Sequence, residues 1–314
     1  MAKRSVSTSG SKSKSHSRAA PQSYSLKRSA SGATVDLSPA SWKVLRKRSP
    51  WLKLLRPHQV KGTEAIVSTD GFAALFEQRT GKTWVTGAVL EVEKDITHDV
   101  LLVGPLTNLA STWEKFLNEK LPWYSVHRNI DSYLAHQKDF VKQWGHRDHC
   151  ILLLNYEALT PQLKKIRRLK WDRVVYDEAQ RLKNRASRAS RDAGLLANSA
   201  ERRLVLTGTP IDKNPRDLWA VMRFIAPWVF GTVWKTFAEE FLAEPVIDQD
   251  KMKKGVIARK KEMMRYLIAK GKAPIREDRL QDYADMSSPH MLRISKEDAG
   301  IQRANVHKVI FDLD

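Results

Sequence analysis

The chain contains 314 residues, of which 42% are hydrophobic and 29% charged, so it has enough apolar residues for a core and is not disordered throughout. Its 55 Lys and Arg outnumber 35 Asp and Glu, and the formal net charge of +20 favours a polyanionic partner, nucleic acid before a membrane surface. The single cysteine, Cys150, excludes an internal disulfide framework and indicates a reducing compartment. The sequence has no apolar run of about 18 residues and no apolar segment near its basic N-terminus, so we expect neither a membrane span nor a secretory signal.

Residues 1–41 are predicted to be a disordered basic tail. The first 60 residues contain 13 Lys and Arg and one acidic residue, Asp36, for a net charge of +12, whereas the remaining 254 residues carry +8. A serine-rich segment of this kind buries too little apolar surface to offset the entropy lost on ordering. Two interpretations stay open, non-specific tethering to nucleic acid and a solubilising tail with no defined role.

From residue 42 onward, short apolar runs alternate with amphipathic stretches. The runs lack in/out alternation, which is typical of strands buried on both faces of a parallel sheet, and they lie at 73–76, 100–103, 150–154, 174–176 and 204–206. Helices are predicted at 82–93, 108–119, 186–199 and 215–226. The pattern predicts an α/β domain at 42–230, a parallel sheet flanked by helices. A charged helical extension follows at 231–305, with candidate core positions Met252, Met263, Met264, Tyr266 and Leu267.

The first candidate site is the sequence EQRTGKT at 77–83, between a predicted strand and a predicted helix. Backbone N–H groups at such a turn point at an anion, Lys82 can reach the β- and γ-phosphates, and the Thr83 hydroxyl can ligate Mg²⁺. Phe76 stands where the full P-loop pattern has glycine, and Arg79 must turn without the freedom of glycine. An ordinary capped turn is the alternative interpretation.

Two further strand ends carry polar groups. The predicted strand 174–176 ends in Asp177 and Glu178, of which one carboxylate can hold Mg²⁺ and the other can orient or deprotonate the attacking water. A solvated strand end is the alternative. The strand 204–206 runs into TGTP at 207–210, a loop that can sense a phosphate, although a plain strand–turn–helix connection has the same composition.

The order GKT, DEAQ, LTGTP resembles that of superfamily 2 helicases, and more specifically the first RecA-like lobe of Swi/Snf-type DNA-dependent ATPases. Four more segments resemble motifs of that family: LRPHQ at 55–59, LVGPL at 102–106 with Trp113 downstream, NYE at 155–157 and LRISKED at 292–298. The resemblance extends from about residue 50 to 305. It implies a P-loop NTPase of RecA-like fold, DEAD/DEAH-like in its acidic motif.

This resemblance implies ATP and Mg²⁺ as cofactors and duplex DNA, held by its backbone, as a partner. It implies that nucleotide contacts come from Arg56, Gln59 (to adenine), Glu77, Thr80, Gly81, Lys82 and Thr83. Catalysis would rest on Lys82, Asp177 and Glu178, with Thr83 and Asp177 holding the metal. Coupling of nucleotide state to DNA would use Gln180, Thr207, Gly208 and Thr209. The DNA-facing positions would be Pro105, Trp113, Asn155 and Lys183.

The sequence also departs from the family pattern. FEQRTGKT stands where the family usually has DEMGLGKT, and Gln180 stands where it has histidine. These differences indicate a divergent, phage-like relative, in the cytoplasm of a bacterium or infected host, or in the nucleus if the source is eukaryotic. In this family ATP lies between two lobes and the second supplies arginine fingers. Because the chain ends at Asp314, we expect 306–314 to begin a linker and a second lobe to be supplied in cis or in trans.

Two other functions stay open on the residues alone. The chain could be an ATP-independent, basic DNA-binding adaptor with a vestigial P-loop. It could also be a P-loop kinase or another NTPase, against which the LRPHQ and LTGTP segments argue.

Overall fold

A computed structural model describes residues 26–29, 32–35, 37–184, 187–208, 215–243, 262, 267 and 273–301. Strands β1 (Leu26–Ser29) and β2 (Gly32–Val35) form an antiparallel hairpin inside the segment that the sequence predicts to be disordered. The first helix begins at Pro39, three residues before the predicted start of the α/β domain at residue 42, and the Ser38 hydroxyl caps it by accepting a hydrogen bond from the Ser41 N–H. The structure therefore differs from the predicted tail at the hairpin and at its C-terminal boundary.

A seven-stranded, all-parallel sheet forms the centre of the domain. In chain order its strands are β3 (Gly71–Phe76), β4 (Asp99–Gly104), β5 (Ser125–His127), β6 (Cys150–Asn155), β7 (Trp171–Tyr176), β8 (Ala200–Thr207) and β9 (Met291–Ile294). Their order across the sheet is β5-β6-β4-β7-β8-β3-β9. The predicted fold class, α/β with a parallel sheet flanked by helices, is confirmed.

Helices cover both faces of this sheet. They are α1 (Pro39–Arg48), α2 (Pro57–Val67), α3 (Lys82–Val92), α4 (Leu106–Asn108), α5 (Lys115–Lys120), α6 (Ile130–Trp144), α7 (Tyr156–Ile166), α8 (Arg188–Ala197), α9 (Pro215–Ile225), α10 (Pro227–Phe230), α11 (Trp234–Phe241) and α12 (Leu280–Ser287). Short 3₁₀ turns lie at Pro50–Leu54, Ala179–Leu182, Glu277–Arg279 and Ser288–His290, and a π-helical segment lies at Leu109–Glu114. In the part of the chain that the structure describes, no helix combines the length and apolarity that a membrane crossing requires.

Alternate residues of each central strand enter different cores. In β3, Ala73 and Leu75 pack into a cluster with residues of α7, α8 and α9, whereas Phe72, Ala74 and Phe76 pack into a second cluster with residues of α1, α2 and α3. Since both faces are buried, the strands read as continuous apolar runs, which is why their positions could be predicted.

Two strands were missing from the prediction. Strand β5 has three residues, and β9 lies at 291–294, inside the stretch predicted to be a helical extension. β9 pairs in parallel with β3 at the edge of the sheet, so this stretch contributes a strand to the central domain and is not helical throughout. Of its candidate core positions, Leu267 packs against the first cluster. The other four, Met252, Met263, Met264 and Tyr266, lie outside the described residues, as does the predicted linker 306–314.

Because all seven strands are parallel, their carboxyl ends meet at one edge of the sheet. The loops after β3, β4, β6, β7 and β8 leave from this edge and carry most of the predicted site residues. This edge is where α/β sheets bind ligands.

Candidate active site

The P-loop has a strained backbone. Arg79 has a φ of 70° and Gly81 a φ of 96°, both in the left-handed region, and α3 begins directly afterwards at Lys82. For a residue with a side chain, this conformation costs about 1–2 kcal/mol. The Thr80 hydroxyl and N–H both donate to the carbonyl of Glu77, at 2.7 Å and 3.3 Å, and close the turn. The expectation that Arg79 turns without glycine's freedom is confirmed.

Two residues of the LRPHQ segment support this loop through hydrogen bonds to the carbonyl of Thr80. His58 Nε2 lies 2.8 Å from the Thr80 carbonyl oxygen, to which Gln59 Nε2 also donates at 3.3 Å. A Cβ atom at Gly81 would lie 2.0 Å from Gln59 Nε2, and the φ of 96° makes a side chain there strained even if Gln59 moves aside. Gln59 Oε1 accepts from the Arg56 N–H at 2.9 Å. Gln59 is thus a support of the P-loop, and its contact with adenine stays a prediction.

Glu77 connects the P-loop to the strand at the sheet edge. Its N–H donates to the carbonyl of Ile294 at 3.0 Å, and its carboxylate accepts from the Lys296 N–H at 3.3 Å. The Arg56 guanidinium reaches the carbonyl of Ala299 at 3.4 Å. Two of the predicted nucleotide contacts therefore bind the LRISKED segment and the residues just after it.

Lys82 lies where three loops converge. Its Nζ donates to the carbonyl of Phe76 at 3.3 Å and lies 3.4 Å from Glu178 Oε1. Gly208, in the loop after β8, packs so closely that a Cβ atom there would be 3.1 Å from Lys82 Nζ. The structure therefore brings Lys82 of GKT, Glu178 of the acidic pair and Gly208 of the TGT loop together, and their role in binding a nucleotide stays a prediction. Thr209 lies outside the described residues.

Asp177 is a buried carboxylate with several donors. Its Oδ2 accepts from Trp113 Nε1 at 2.9 Å and from Asn108 Nδ2 at 3.5 Å, and its Oδ1 accepts from the Glu178 N–H at 2.9 Å. Burial, followed by the charge of Glu178, raises the pKa of Asp177, while the Trp113 bond and Lys82 oppose that rise. A cation beside Asp177 would offset the cost of this buried charge.

The donor set fits Mg²⁺. Carboxylate and hydroxyl oxygens are ligands that Mg²⁺ prefers, and Asp177 and the half-buried Thr83 carry such groups on two loops that leave the carboxyl edge of the sheet; that they share one ion stays a prediction. Thr83 also lines a cavity of about 330 Å³ together with Gly81 and Lys115.

Gln180 joins the acidic pair to the loop after β8. Its Nε2 donates to Glu178 Oε2 at 2.8 Å, and its Oε1 accepts from the Thr207 hydroxyl at 2.8 Å. Glu178 itself has a φ of 50°, which turns the chain so that its carboxylate faces Lys82. Lys82, Glu178, Gln180 and Thr207 therefore form one continuous chain of polar contacts, which we call the relay. The amide of Gln180 has one donor and one acceptor in use, as a neutral histidine would.

The four predicted DNA-facing residues are all engaged within the domain. Pro105 is buried before α4, Asn155 caps α7 by accepting from the Ala158 N–H at 2.6 Å, and Lys183 Nζ lies 2.9 Å from Asp217 Oδ2. Trp113 is 1% exposed and bound to Asp177, so its prediction as a DNA contact is wrong. Its indole N–H instead holds the acidic pair, as does Asn108, a role that no sequence signal indicated.

The fold and this edge define a RecA-like lobe. A sequence model of the SNF2-related domain matches residues 13–305, and the chain belongs to this family. It is 32% identical over 195 residues to the chromatin-remodeling ATPase INO80 of Arabidopsis thaliana, which covers 56% of this chain and 12% of that protein. It is 31% identical over 200 residues to the transcription regulatory protein SNF2 of Saccharomyces cerevisiae, covering 60% and 11%. The chain thus matches only about one eighth of the length of these relatives.

Solved structures agree on the fold. The SWI2/SNF2 ATPase core of Sulfolobus solfataricus in complex with dsDNA superposes with a TM-score of 0.57 at 24% sequence identity, over 79% of this chain and 46% of that one. A second structure, of the Sulfolobus solfataricus SWI2/SNF2 ATPase core domain, gives a TM-score of 0.55 at 24% sequence identity.

Proposed function

We propose that this lobe binds ATP·Mg²⁺ and hydrolyses it, and that hydrolysis drives movement on duplex DNA when a second RecA-like lobe completes the site. The observation that carries the proposal is the relay, which connects the phosphate-binding Lys82 through Glu178 and Gln180 to Thr207. Through such a connection, a change at the phosphates of the nucleotide would alter the contacts of Thr207 at the start of the loop after β8.

Each residue of the site has a role that its contacts support. In the structure, Lys82 is paired with Glu178. When ATP binds, the Lys82 ammonium would leave this carboxylate and pair with the negatively charged β- and γ-phosphates. Released from Lys82, Glu178 would accept the proton of the attacking water. Asp177 and Thr83 would hold Mg²⁺, which neutralises charge that develops on the phosphates.

A second lobe is part of the proposal because phosphoryl transfer depends strongly on an arginine aimed at the transferred group. Such an arginine accelerates the reaction by about 10³–10⁵-fold. We therefore expect the 314-residue chain to bind ATP but to turn it over slowly, and a second lobe added in trans to raise the rate.

DNA is proposed as the partner on three grounds. The chain carries a net charge of +20, it belongs to a family with ATPases named for chromatin remodelling, and an archaeal core of the same fold is solved with dsDNA. The excess of positive charge supports contacts to the backbone over base readout.

ATP hydrolysis measured with and without duplex DNA tests the proposal. We expect DNA to stimulate the wild-type rate and Glu178→Gln to abolish hydrolysis while ATP still binds, because the amide is isosteric but cannot take a proton. Glu239→Gln is the matched control, since Glu239 is exposed and paired with Lys235 within α11, which carries none of the predicted site residues. DNA affinity that is indifferent to ATP, with no hydrolysis in any variant, would favour the alternative of an ATP-independent DNA-binding adaptor.

A further inference from the structure

A cluster of metal-ligand side chains lies at the β5 edge of the sheet, away from the P-loop. His127, His136 and Cys150 each offer one ligand atom, and these three atoms lie within 4.8 Å of one another. Among the described residues, this is the one group of three or more histidine, cysteine or acidic side chains that could hold a metal ion. None of the three has a part in the proposed nucleotide chemistry.

The sheet register brings these residues together. β5 pairs in parallel with β6, and the pair His127–Leu152 places His127 on the face of the sheet that also carries Cys150, two residues before Leu152. His127 Nε2 lies 4.0 Å from Cys150 Sγ. Helix α6 covers this face and contributes His136, whose ring centroid lies 4.9 Å from that of His127.

Each histidine ring has one nitrogen beside a hydrogen-bond partner. His127 Nδ1 lies 3.0 Å from the Ser132 hydroxyl, and His136 Nε2 lies 2.8 Å from Asp148 Oδ2, which also accepts from the Ser125 hydroxyl. Metal-binding histidines typically have such a partner, because a hydrogen bond at one nitrogen fixes the tautomer and leaves the other free to bind metal. A carboxylate such as Asp148 is one of the partners that such histidines use.

We propose that His127, His136 and Cys150 bind one Zn²⁺ ion. A thiolate with two imidazoles is a ligand set that Zn²⁺ prefers. Tetrahedral Zn²⁺ needs about 3.5 Å between a sulfur and a nitrogen ligand, given bonds of about 2.3 Å and 2.0 Å. The observed 4.0 Å between Cys150 and His127 is close to that distance. The ligand atoms lie within 4.8 Å of one another, so His136, whose side chain is 33% exposed, would need to rotate inward by up to about 1.5 Å.

The position of the ion indicates a structural role. Cys150 is the first residue of β6, and the carboxyl end of that strand, where the nucleotide edge lies, is about 16 Å away. An ion there would fasten the three-residue edge strand β5 and helix α6 to the sheet. Three protein ligands leave a fourth position for water on the side of half-exposed His136.

Titration of the metal-free chain with Co²⁺, followed by absorption, tests this site. We expect one equivalent of Co²⁺ to bind with a thiolate-to-cobalt charge-transfer band, and Zn²⁺ to displace it. Cys150→Ala should abolish the band, and His136→Gln should weaken Co²⁺ affinity at least tenfold. His146→Gln, an exposed histidine just after α6, should bind as the wild type does. Zn²⁺ should raise the Tm of the wild type and of His146→Gln, but not of His136→Gln.

Absence of the band in the wild type would overturn the proposal, as would equal Co²⁺ affinity in the wild type and His136→Gln. His136→Gln decides the matter if Cys150→Ala fails to fold, because His136 is half-exposed and its replacement leaves the core intact.

Discussion

At the scale of single residues, the site is defined by side chains that bridge loops. The sequence identified Lys82, Asp177 and Glu178 because they follow buried strands in an order seen in one family. It could not show what Gln180 or Trp113 touches, since their partners lie in loops far along the chain. Spacing gives a face of a helix or the end of a strand, but the partner of a polar group depends on how those elements pack.

We expect Gln180 to couple Glu178 to Thr207 and not to contact ATP itself. Gln180→Ala removes the contacts to Glu178 and Thr207 while leaving Lys82 in place. Loss of a hydrogen bond to a charged group costs about 1.5–3 kcal/mol, so we predict a fall of about 10- to 100-fold in single-turnover ATP hydrolysis with ATP affinity unchanged. Gln180→His, which restores a donor and an acceptor, should recover most of the rate. Equal rates for the wild type and Gln180→Ala would contradict the relay.

Asp177 predicts a pH dependence of stability. Because burial raises its pKa in the native state above the ordinary value of 3.8, the native state keeps a proton that the unfolded chain has already released. The free energy of unfolding therefore loses a contribution as pH rises from about 3.8 through the raised native pKa. Asparagine does not titrate in this range, so the unfolding free energy of Asp177→Asn lacks this pH-dependent loss.

Urea unfolding at a series of pH values measures that difference. The unfolding free energy of Asp177→Asn minus that of the wild type should increase with pH across this window and then level off. Asp131→Asn, at an exposed position paired with Lys165, serves as the control and should run parallel to the wild type. Parallel curves for Asp177→Asn as well would show that Asp177 carries no such penalty.

At the scale of elements, the strands buried on both faces were the predictable part of the fold. Five of the seven contain continuous apolar runs, and the structure extends each run by one to five residues. β9 was missed because Met291–Ile294 is half-exposed and lies among charged residues, and its partner β3 is more than 200 residues earlier. Only tertiary pairing makes that segment a strand.

The pairing of β9 with β3 fastens the P-loop to the last described segment of the chain. Removing the Glu77 carboxylate should therefore loosen the backbone at Lys296, whose N–H it accepts. We predict that Glu77→Ala increases hydrogen exchange of the Lys296 amide by about tenfold, equivalent to about 1.4 kcal/mol. Glu77→Gln, which keeps an acceptor oxygen, should exchange like the wild type. Unchanged exchange in Glu77→Ala would mean that the strand pairing alone holds this segment.

At the scale of the whole molecule, the charge is divided between the N-terminal segment and the domain. Residues 1–36 contain seven Lys and Arg and one acidic residue, and α1 begins only at Pro39. If these residues tether DNA, their removal should weaken binding and reduce the magnitude of the slope of log affinity against log salt by at most about 6, since each phosphate neutralised contributes about 0.9. Equilibrium binding of a duplex at several salt concentrations gives the slope. A slope that does not change would favour a solubilising role for the segment.

The net charge of residues 61–314 is only +8, so we expect the DNA affinity of the domain to depend on individual residues at the DNA-facing surface more than on net charge. Sequence reasoning placed four such residues, and Trp113 was wrong because a tryptophan side chain can cap a carboxylate as readily as it can lie on a surface. The other three keep their predicted position at the carboxyl edge, although each already has an intramolecular role. Their contact with DNA stays a prediction, as does a phage origin.

The central claim is that the convergence of Lys82, Glu178 and Gly208 is a binding site for ATP·Mg²⁺, and calorimetric titration of the 314-residue chain with ATP·Mg²⁺ tests it most directly. We predict binding by the wild type and at least tenfold weaker binding by Lys82→Ala, because the phosphates lose their one cationic partner in the P-loop helix. Lys165→Ala, an exposed lysine outside the site, should bind like the wild type. Equal affinity for the wild type and Lys82→Ala, or no binding to either, would contradict the account.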